Sequence, residues 1–360
     1  MINNQYFASI GLKEVVVKEF EPYMENGFAL GRVALEHKRL YRVWSEYGEL
    51  LCELSGKLSF GAESRDDLPA VGDWVALKLR KDEQRGTIQA VLPRFSKFSR
   101  KTAGNAAEEQ IVAANIDTVF IVNSLNDDLN VRRIERYLLL AWESGANPAI
   151  ILSKADLCAN LSECVQAVEA IAFGVPVIPV SVFEETGIEE LSSFLVPGNT
   201  IALMGSSGVG KSSLINYLAG TDNQKVHGIR KADHKGRHTT THRELVLLEN
   251  GTILVDTPGM RELQLWEADG GLAESFSDIE AAAANCRFRD CLHENEPGCA
   301  VEQAIKDGEF PEERLDSYKK LLRELAYLDK KLDKKAQSAE KQRWKKVNKQ
   351  IRQANKNKNR

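Results

Sequence analysis

The stretch Thr200-Ile201-Ala202-Leu203-Met204-Gly205-Ser206-Ser207-Gly208-Val209-Gly210-Lys211-Ser212-Ser213-Leu214 decides the fold. A short apolar run leads into a glycine-rich loop of the form G-x-x-x-x-G-K-S, and a helix-favouring segment follows through Ala219. Strand, loop and helix in that order make a P-loop. Its glycines let the backbone N–H groups of residues 205–210 close around phosphates at a helix N-terminus. Lys211 supplies a point charge to the β- and γ-phosphates, Ser212 offers a hydroxyl to Mg²⁺, and Ser213 completes the nucleotide-contacting run.

Working outward, Asp256-Thr257-Pro258-Gly259 ends the apolar strand Thr252-Ile253-Leu254-Val255. Asp256 is placed to hold Mg²⁺ through water, and Gly259 to turn its N–H toward a γ-phosphate. Between the two phosphate motifs lies Gly236-Arg237-His238-Thr239-Thr240-Thr241, a glycine-hinged polar loop suited to ordering on γ-phosphate and Mg²⁺, with Thr240 as the metal ligand.

The choice of base is read upstream, at Ser153-Lys154-Ala155-Asp156. A carboxylate at Asp156 accepts hydrogen bonds from guanine N1–H and its 2-amino group, whereas adenine offers an acceptor at N1 and nothing at C2. Lys154 is expected over the base. Such an element usually begins with Asn, so Ser153 is a departure that weakens the expected anchoring of the loop. Ser181-Val182, after the strand ending at Val180, is expected to complete the pocket through backbone N–H groups. Base motifs therefore precede phosphate motifs along the chain. A circular permutation yields this order, because a sheet and its pocket depend on spatial neighbours.

The flanking segments have distinct textures. From 27 to 92, alternating runs such as GRVALE, YRVWSE, ELLCELSG, GDWVALKL and TIQAVL predict five antiparallel strands, which fits an OB-fold whose open face commonly binds oligonucleotides. A polar connector, 94–109, separates it from buried apolar runs at 117–124, 148–153, 175–181, 200–205 and 252–259. Helices are predicted at 131–143, 161–173 and 211–219, giving an α/β sheet. Residues 1–26 carry no firm assignment. The fold class expected is thus multidomain: an all-β OB-fold barrel (27–95), a permuted α/β P-loop GTPase domain (96–265), a helical zinc-binding domain (266–335) and a basic tail (336–360).

Composition sets the outer limits. The chain has 360 residues, 28% of them charged, with a formal charge of −4. Residues 319–360 hold 16 Lys and Arg against 4 Asp and Glu, so a basic tail follows an acidic body. That asymmetry favours a polyanionic partner, with a solvated basic helix as the competing reading. The last eight residues, almost devoid of apolar side chains, are expected to be disordered. No run of eighteen apolar residues and no signal-peptide pattern occurs, from which a cytoplasmic location without membrane contact is expected. Three of the six cysteines, Cys286, Cys291 and Cys299, crowd beside His293. Three thiolates and one imidazole make a closed tetrahedral set for structural Zn²⁺.

The motif order, with the strings G-R-H-T-T-T and D-T-P-G-M-R-E-L, resembles the RsgA (YjeQ/YloQ) family of circularly permuted GTPases that act in maturation of the bacterial small ribosomal subunit. The resemblance spans roughly 27–307. It implies GTP and GDP as ligands, Mg²⁺, one structural Zn²⁺, and the small subunit with its 16S rRNA as partner; a monomer with no DNA partner is expected. Met260 stands where Ras-like enzymes carry a water-positioning glutamine, and a thioether cannot donate a hydrogen bond to water. Slow intrinsic turnover is therefore expected, and the resemblance supports His238 as the group that positions the attacking water. Two rivals stay open: an RNA-binding assembly protein that uses GTP only as a structural ligand, and an ATP-using kinase, which Asp156 opposes. The permutation also leads the chain from Gly259 directly into the zinc segment, so nucleotide state is expected to act on that module.

Overall fold

A computed structural model describes residues 4–37, 40–62, 64–80, 83–101, 109–126, 129–220, 243–256, 275–294, 296–323 and 326. Five strands follow the alternating runs: β1 (Ala29–His37), β2 (Leu40–Ser45), β3 (Gly48–Leu54), β4 (Trp74–Arg80) and β5 (Arg85–Val91). β1, β2 and β3 form an antiparallel meander, β3 pairs parallel with β5, and β4 closes the ring against both β5 and β1. Closure in the order 1-2-3-5-4-1 is the OB-fold topology and leaves no free sheet edge in the barrel. Alternate residues point inward, so Val33, Tyr41, Val43, Leu50, Cys52, Val75, Leu77 and Ile88 fill the interior. Burial pushes the Cys52 thiol up to about 12, which makes it a packing residue.

The unassigned N-terminus forms α1 (Asn4–Ser9) and α2 (Glu14–Glu25). Phe7, Ile10, Val16 and Phe20 from this segment pack with Leu30, Trp74 and Leu92 of the barrel. The spacing of Val16 and Phe20 puts both on one helical face. A short α3 (Gly56–Gly61) follows β3, its start capped by the Ser55 hydroxyl accepting from Leu58 N.

The segment read as a connector is in part a hairpin. β6 (Lys97–Lys101) pairs antiparallel with β7 (Glu109–Ala114), from Lys97 opposite Ala114 to Lys101 opposite Glu109. Phe98, Ile111 and Val112 are all buried, and the charged residues around them obscured the strand pattern.

The α/β part consists of β8 (Thr118–Ser124), β9 (Asn147–Ser153), β10 (Val177–Val180), β11 (Thr200–Met204), β12 (Arg243–Leu247) and β13 (Ile253–Asp256), with α4 (Val131–Ser144), α5 (Leu161–Glu169) and α6 (Lys211–Leu218). The order is β10-β9-β8-β11-β13-β12, parallel except for β12. β8, β9 and β11 are almost wholly buried, as strands covered on both faces must be. α4 starts where the Asn130 side chain accepts from Arg133 N and stops at Gly145 with φ +82°. α5 ends at Glu169, four residues short of the predicted 173, and the chain turns through Gly174 at φ +73° ahead of Pro176. β12 also pairs with β1, through Leu35 opposite Glu244 and Glu36 opposite Arg243, so the sheet runs on into the barrel as one compact unit.

Arg32 of β1 secures that junction. Only 1% exposed, it donates from Nη1 to Ile10 O (2.6 Å), from Nε to Gly72 O (3.3 Å), and from Nη2 to Asn115 O (3.0 Å) and Thr200 Oγ1 (2.9 Å). Its guanidinium also lies 5.4 Å from the centre of the Trp74 ring. Burial lowers Arg32 to about 10, opposed by the charges of Asp117 and Asp73, and it stays protonated at neutral pH.

Among the described residues, a second compact unit runs from Asp278 onward and contains the Cys/His segment. It takes in α7 (Ser277–Ala283) from the second residue of that helix, α8 (Ala300–Asp307) and a helical stretch over 312–323. The buried Arg314 grips Asp278 with two parallel bonds, Nε to Oδ2 at 2.5 Å and Nη2 to Oδ1 at 2.9 Å, and Tyr318 donates to Glu280 at 2.5 Å. The tail read at 336–360 and the last eight residues lie outside the described residues. Among those described, no helix is long and apolar enough to cross a membrane.

Candidate functional site

β11 delivers the glycine loop to the C-terminal end of the sheet, and α6 leads away from it. Gly205 takes φ +144°, and a Cβ there would fall 2.2 Å from Val122 O, so only glycine fits between β8 and the loop. Gly210, at φ +96°, turns the chain into the first residue of α6. Ser206 is half-buried, Ser207, Gly208 and Ser212 are exposed, and Val209 is inserted into the core. Lys211 folds over the loop and donates from Nζ to Gly205 O (2.7 Å) and Ser206 O (2.5 Å). A cation lying over a glycine-rich loop at a helix N-terminus is an arrangement that accepts phosphate.

Beside the loop opens a cleft of about 460 Å³, lined by Ser153, Lys154, Asp156, Val182, Phe183, Gly210, Ser213 and Tyr217 among others. Thus β9, β10 and α6 bring three separate sequence elements onto one cavity. Ser153, at the end of β9, places its hydroxyl 2.5 Å from Val209 O and 3.3 Å from Asn123 O. The hydroxyl therefore provides the tie to the glycine loop that the missing amide would have made. Lys154 adopts a left-handed conformation, φ +57°, and its ammonium donates to Gly208 O at 2.9 Å. Asp156 follows in a single turn, Ala155–Leu157, which lifts its carboxylate to the exposed rim.

Ser181 was expected to serve the pocket through its backbone N–H, and that N–H donates to Thr186 O at 3.0 Å. The buried Ser181 hydroxyl donates to Asp156 Oδ1 at 2.6 Å while accepting from Glu184 N at 3.1 Å. One hydroxyl hydrogen and one lone pair are both used, which fixes the carboxylate's direction.

His238, Thr240 and Gly259 lie outside the described residues, as do the rest of the threonine loop and Met260. Asp256 is the last residue of β13, adjacent to β11 in the sheet. Sequence reasoning missed Phe183, Tyr217 and Arg32. An aromatic directly after Ser181-Val182 in a polar loop was a usable signal for Phe183; nothing local marks Arg32, whose partners lie up to 168 residues away.

In the second unit, the ligand atoms of Cys286, Cys291, His293 and Cys299 all lie within 4.8 Å of one another. Cys286 Sγ is 3.7 Å from His293 Nδ1 and 4.0 Å from Cys299 Sγ, and His293 Nδ1 is 3.4 Å from Cys299 Sγ. Donors about 2.3 Å from a central zinc ion lie roughly 3.8 Å apart at tetrahedral angles, so the four fit that ion. Ala300 N donates to Cys286 Sγ at 3.3 Å and Glu302 N to Cys299 Sγ at 3.4 Å, bonds that stabilise thiolates at the start of α8. Lys319 holds the loop from behind by donating to His293 O at 2.7 Å.

A family model described as RsgA GTPase matches residues 91–266, and one described as 50S ribosome-binding GTPase matches 200–351. Small ribosomal subunit biogenesis GTPase RsgA of Opitutus terrae is 45% identical over 349 residues, covering 94% of this chain and 95% of that one. RsgA 2 of Lactiplantibacillus plantarum is 49% identical over 303 residues, 84% of this chain and 85% of its own. Among solved structures, YjeQ from Thermotoga maritima superposes with a TM-score of 0.63 at 29% identity, covering 83% of this chain and 99% of that one. YloQ, a circularly permuted GTPase, gives 0.60 at 25% identity over 83% and 95%. A closed barrel joined to a sheet whose strands β8, β9 and β10 precede the glycine loop in the chain, together with likeness over most of the chain at this level of identity, means that the chain belongs to the RsgA family of GTPases.

Proposed function

We propose that this protein hydrolyses GTP to GDP and phosphate while bound to the small ribosomal subunit, and that it assists late maturation of that subunit. The observation that carries the reading is the Ser181-bonded Asp156 carboxylate at a cleft that Gly210 of the glycine loop and Ser213 of α6 also line. A fixed carboxylate suits the N1–H and 2-amino edge of guanine and is left unpaired by adenine. Ser153 and Lys154, both bonded to the glycine loop, tie base recognition to phosphate recognition.

Roles follow from chemistry. Backbone N–H groups of 205–210 cradle the phosphates, and Lys211 exchanges its carbonyl partners for β- and γ-phosphate oxygens. Ser212, exposed at the head of α6, and Asp256, at the end of β13, belong to a Mg²⁺ set that Thr240 completes. When bound, Mg²⁺ supplies charge neutralisation between the phosphates. Gly259 senses the γ-phosphate. His238 positions the attacking water, since Met260 cannot. His238→Ala should lower subunit-stimulated hydrolysis and spare GTP binding; unchanged stimulated turnover would remove it from the mechanism.

The Cys286, Cys291, His293 and Cys299 set leaves no coordination position open, so its zinc is structural. The barrel and the basic tail supply contacts to 16S rRNA, and the protein works as a monomer in the cytoplasm, where subunits mature. Nucleotide state acts on the zinc module through the segment after Gly259.

Measuring GTP and ATP hydrolysis with and without purified small subunits tests the whole reading. Subunit-stimulated hydrolysis confined to GTP is expected. GTP binding without turnover under either condition would favour the assembly protein that uses GTP as a structural ligand.

A further inference from the structure

Resting on the guanine-pocket reading, we infer that Phe183 is the aromatic lid of the nucleobase site, stacking on the face of the purine whose edge Asp156 reads. The ring is 88% exposed although it lines the cleft. Single exposed apolar residues need no explanation, but the backbone that carries this one is fixed by its loop. Ser181 and Thr186 close the base of the loop with two main-chain bonds, Ser181 N to Thr186 O at 3.0 Å and Thr186 N to Ser181 O at 3.1 Å. Glu184 N donates to the Ser181 hydroxyl, and Glu185 turns the chain back at φ +55°.

Phe183 therefore sits at the tip of a loop anchored at both ends, with its ring left bare. Ser181 roots that loop and also orients Asp156. One anchor thus serves both a group suited to the edge of the base and a group suited to its face. Val180, Val182 and Leu214 add apolar surface to the same cavity, beside the polar Ser213 and the carboxylates of Asp156 and Glu185. Stacking a base on an aromatic side chain contributes roughly 5- to 150-fold in affinity and does not depend on the base's donors and acceptors. The class of ligand is thus any purine nucleotide, with guanine selected by Asp156.

The test uses the full-length protein, displacing a fluorescent GDP analogue with GDP and with inosine diphosphate, which lacks the 2-amino group. Phe183→Ala is expected to weaken both by a similar factor of about ten. Phe183→Trp should restore affinity to within about threefold, and its added indole emission should be quenched by GDP relative to wild type. Asp156→Asn should instead change the ratio between the two nucleotides. The lid is overturned if Phe183→Ala stays within about twofold of wild type, if its loss falls on one nucleotide alone, or if Phe183→Trp fails to rescue. Failure of the wild type to bind GDP would refute the guanine pocket itself and the lid with it.

Discussion

The Ser181 hydroxyl donates a 2.6 Å hydrogen bond to Asp156 Oδ1, joining two loops 25 residues apart in sequence. Asp156 is exposed, so without that bond its carboxylate would rotate in water and pay to be oriented each time a base binds.

Ser181→Ala should therefore weaken GDP binding by about tenfold, the worth of one hydrogen bond to a charged group. Discrimination against ADP should fall with it, because an unfixed carboxylate rejects adenine less strictly. Competition titrations with the two nucleotides check both.

Ser153 is 6% exposed and donates to Val209 O inside the protein. Ser153→Ala would leave that carbonyl without this partner, at a cost of about 1–3 kcal/mol. A lower denaturant midpoint is expected, and added GDP should recover less stability in the variant than in wild type.

Arg32→Met keeps the volume but abandons three main-chain carbonyls and the Thr200 hydroxyl. A loss of about 3 kcal/mol or more is expected at the seam between barrel and sheet. Arg32→Lys should rescue little, since three donors on one nitrogen cannot reach four separated acceptors. Urea unfolding of the three proteins measures the difference, and a loss below about 1 kcal/mol would show that water replaces the guanidinium.

Removing zinc with a chelator, or introducing Cys291→Ser, should cost the second unit its helices while GDP binding by the first survives. The segment 286–299 is mostly loop, and its order depends on four donors meeting at one point. Zinc content per chain, far-ultraviolet circular dichroism and GDP affinity, taken together, check this. Loss of GDP binding in step with zinc would show that the two units do not fold separately.

Much of this architecture was legible along the chain because it is local. Alternation in residues 27–92 names a barrel since side chains of a strand point to opposite faces. Glycine at 205 and 210, then Lys211, names a phosphate loop because those backbone angles exclude other residues. The packing of Cys286, Cys291, Cys299 and His293 within fourteen positions names a metal site. Where the pattern failed, local signals competed. Charges interleaved with Phe98 and Ile111 concealed a hairpin, and residues 1–26 show their apolar face only against Trp74 and Leu30.

Sequence alone thus determined the order of the guanine and phosphate motifs, and with it the permutation. Only the tertiary structure decided how they cooperate. It showed that Ser181 acts through its hydroxyl on Asp156, that Ser153 replaces a missing amide by bonding Val209 O, and that Arg32 ties the barrel to the strand carrying the phosphate loop. Each joins positions far apart in the chain. Such contacts follow from how the strands are ordered in the sheet, and no window of neighbouring residues encodes that order.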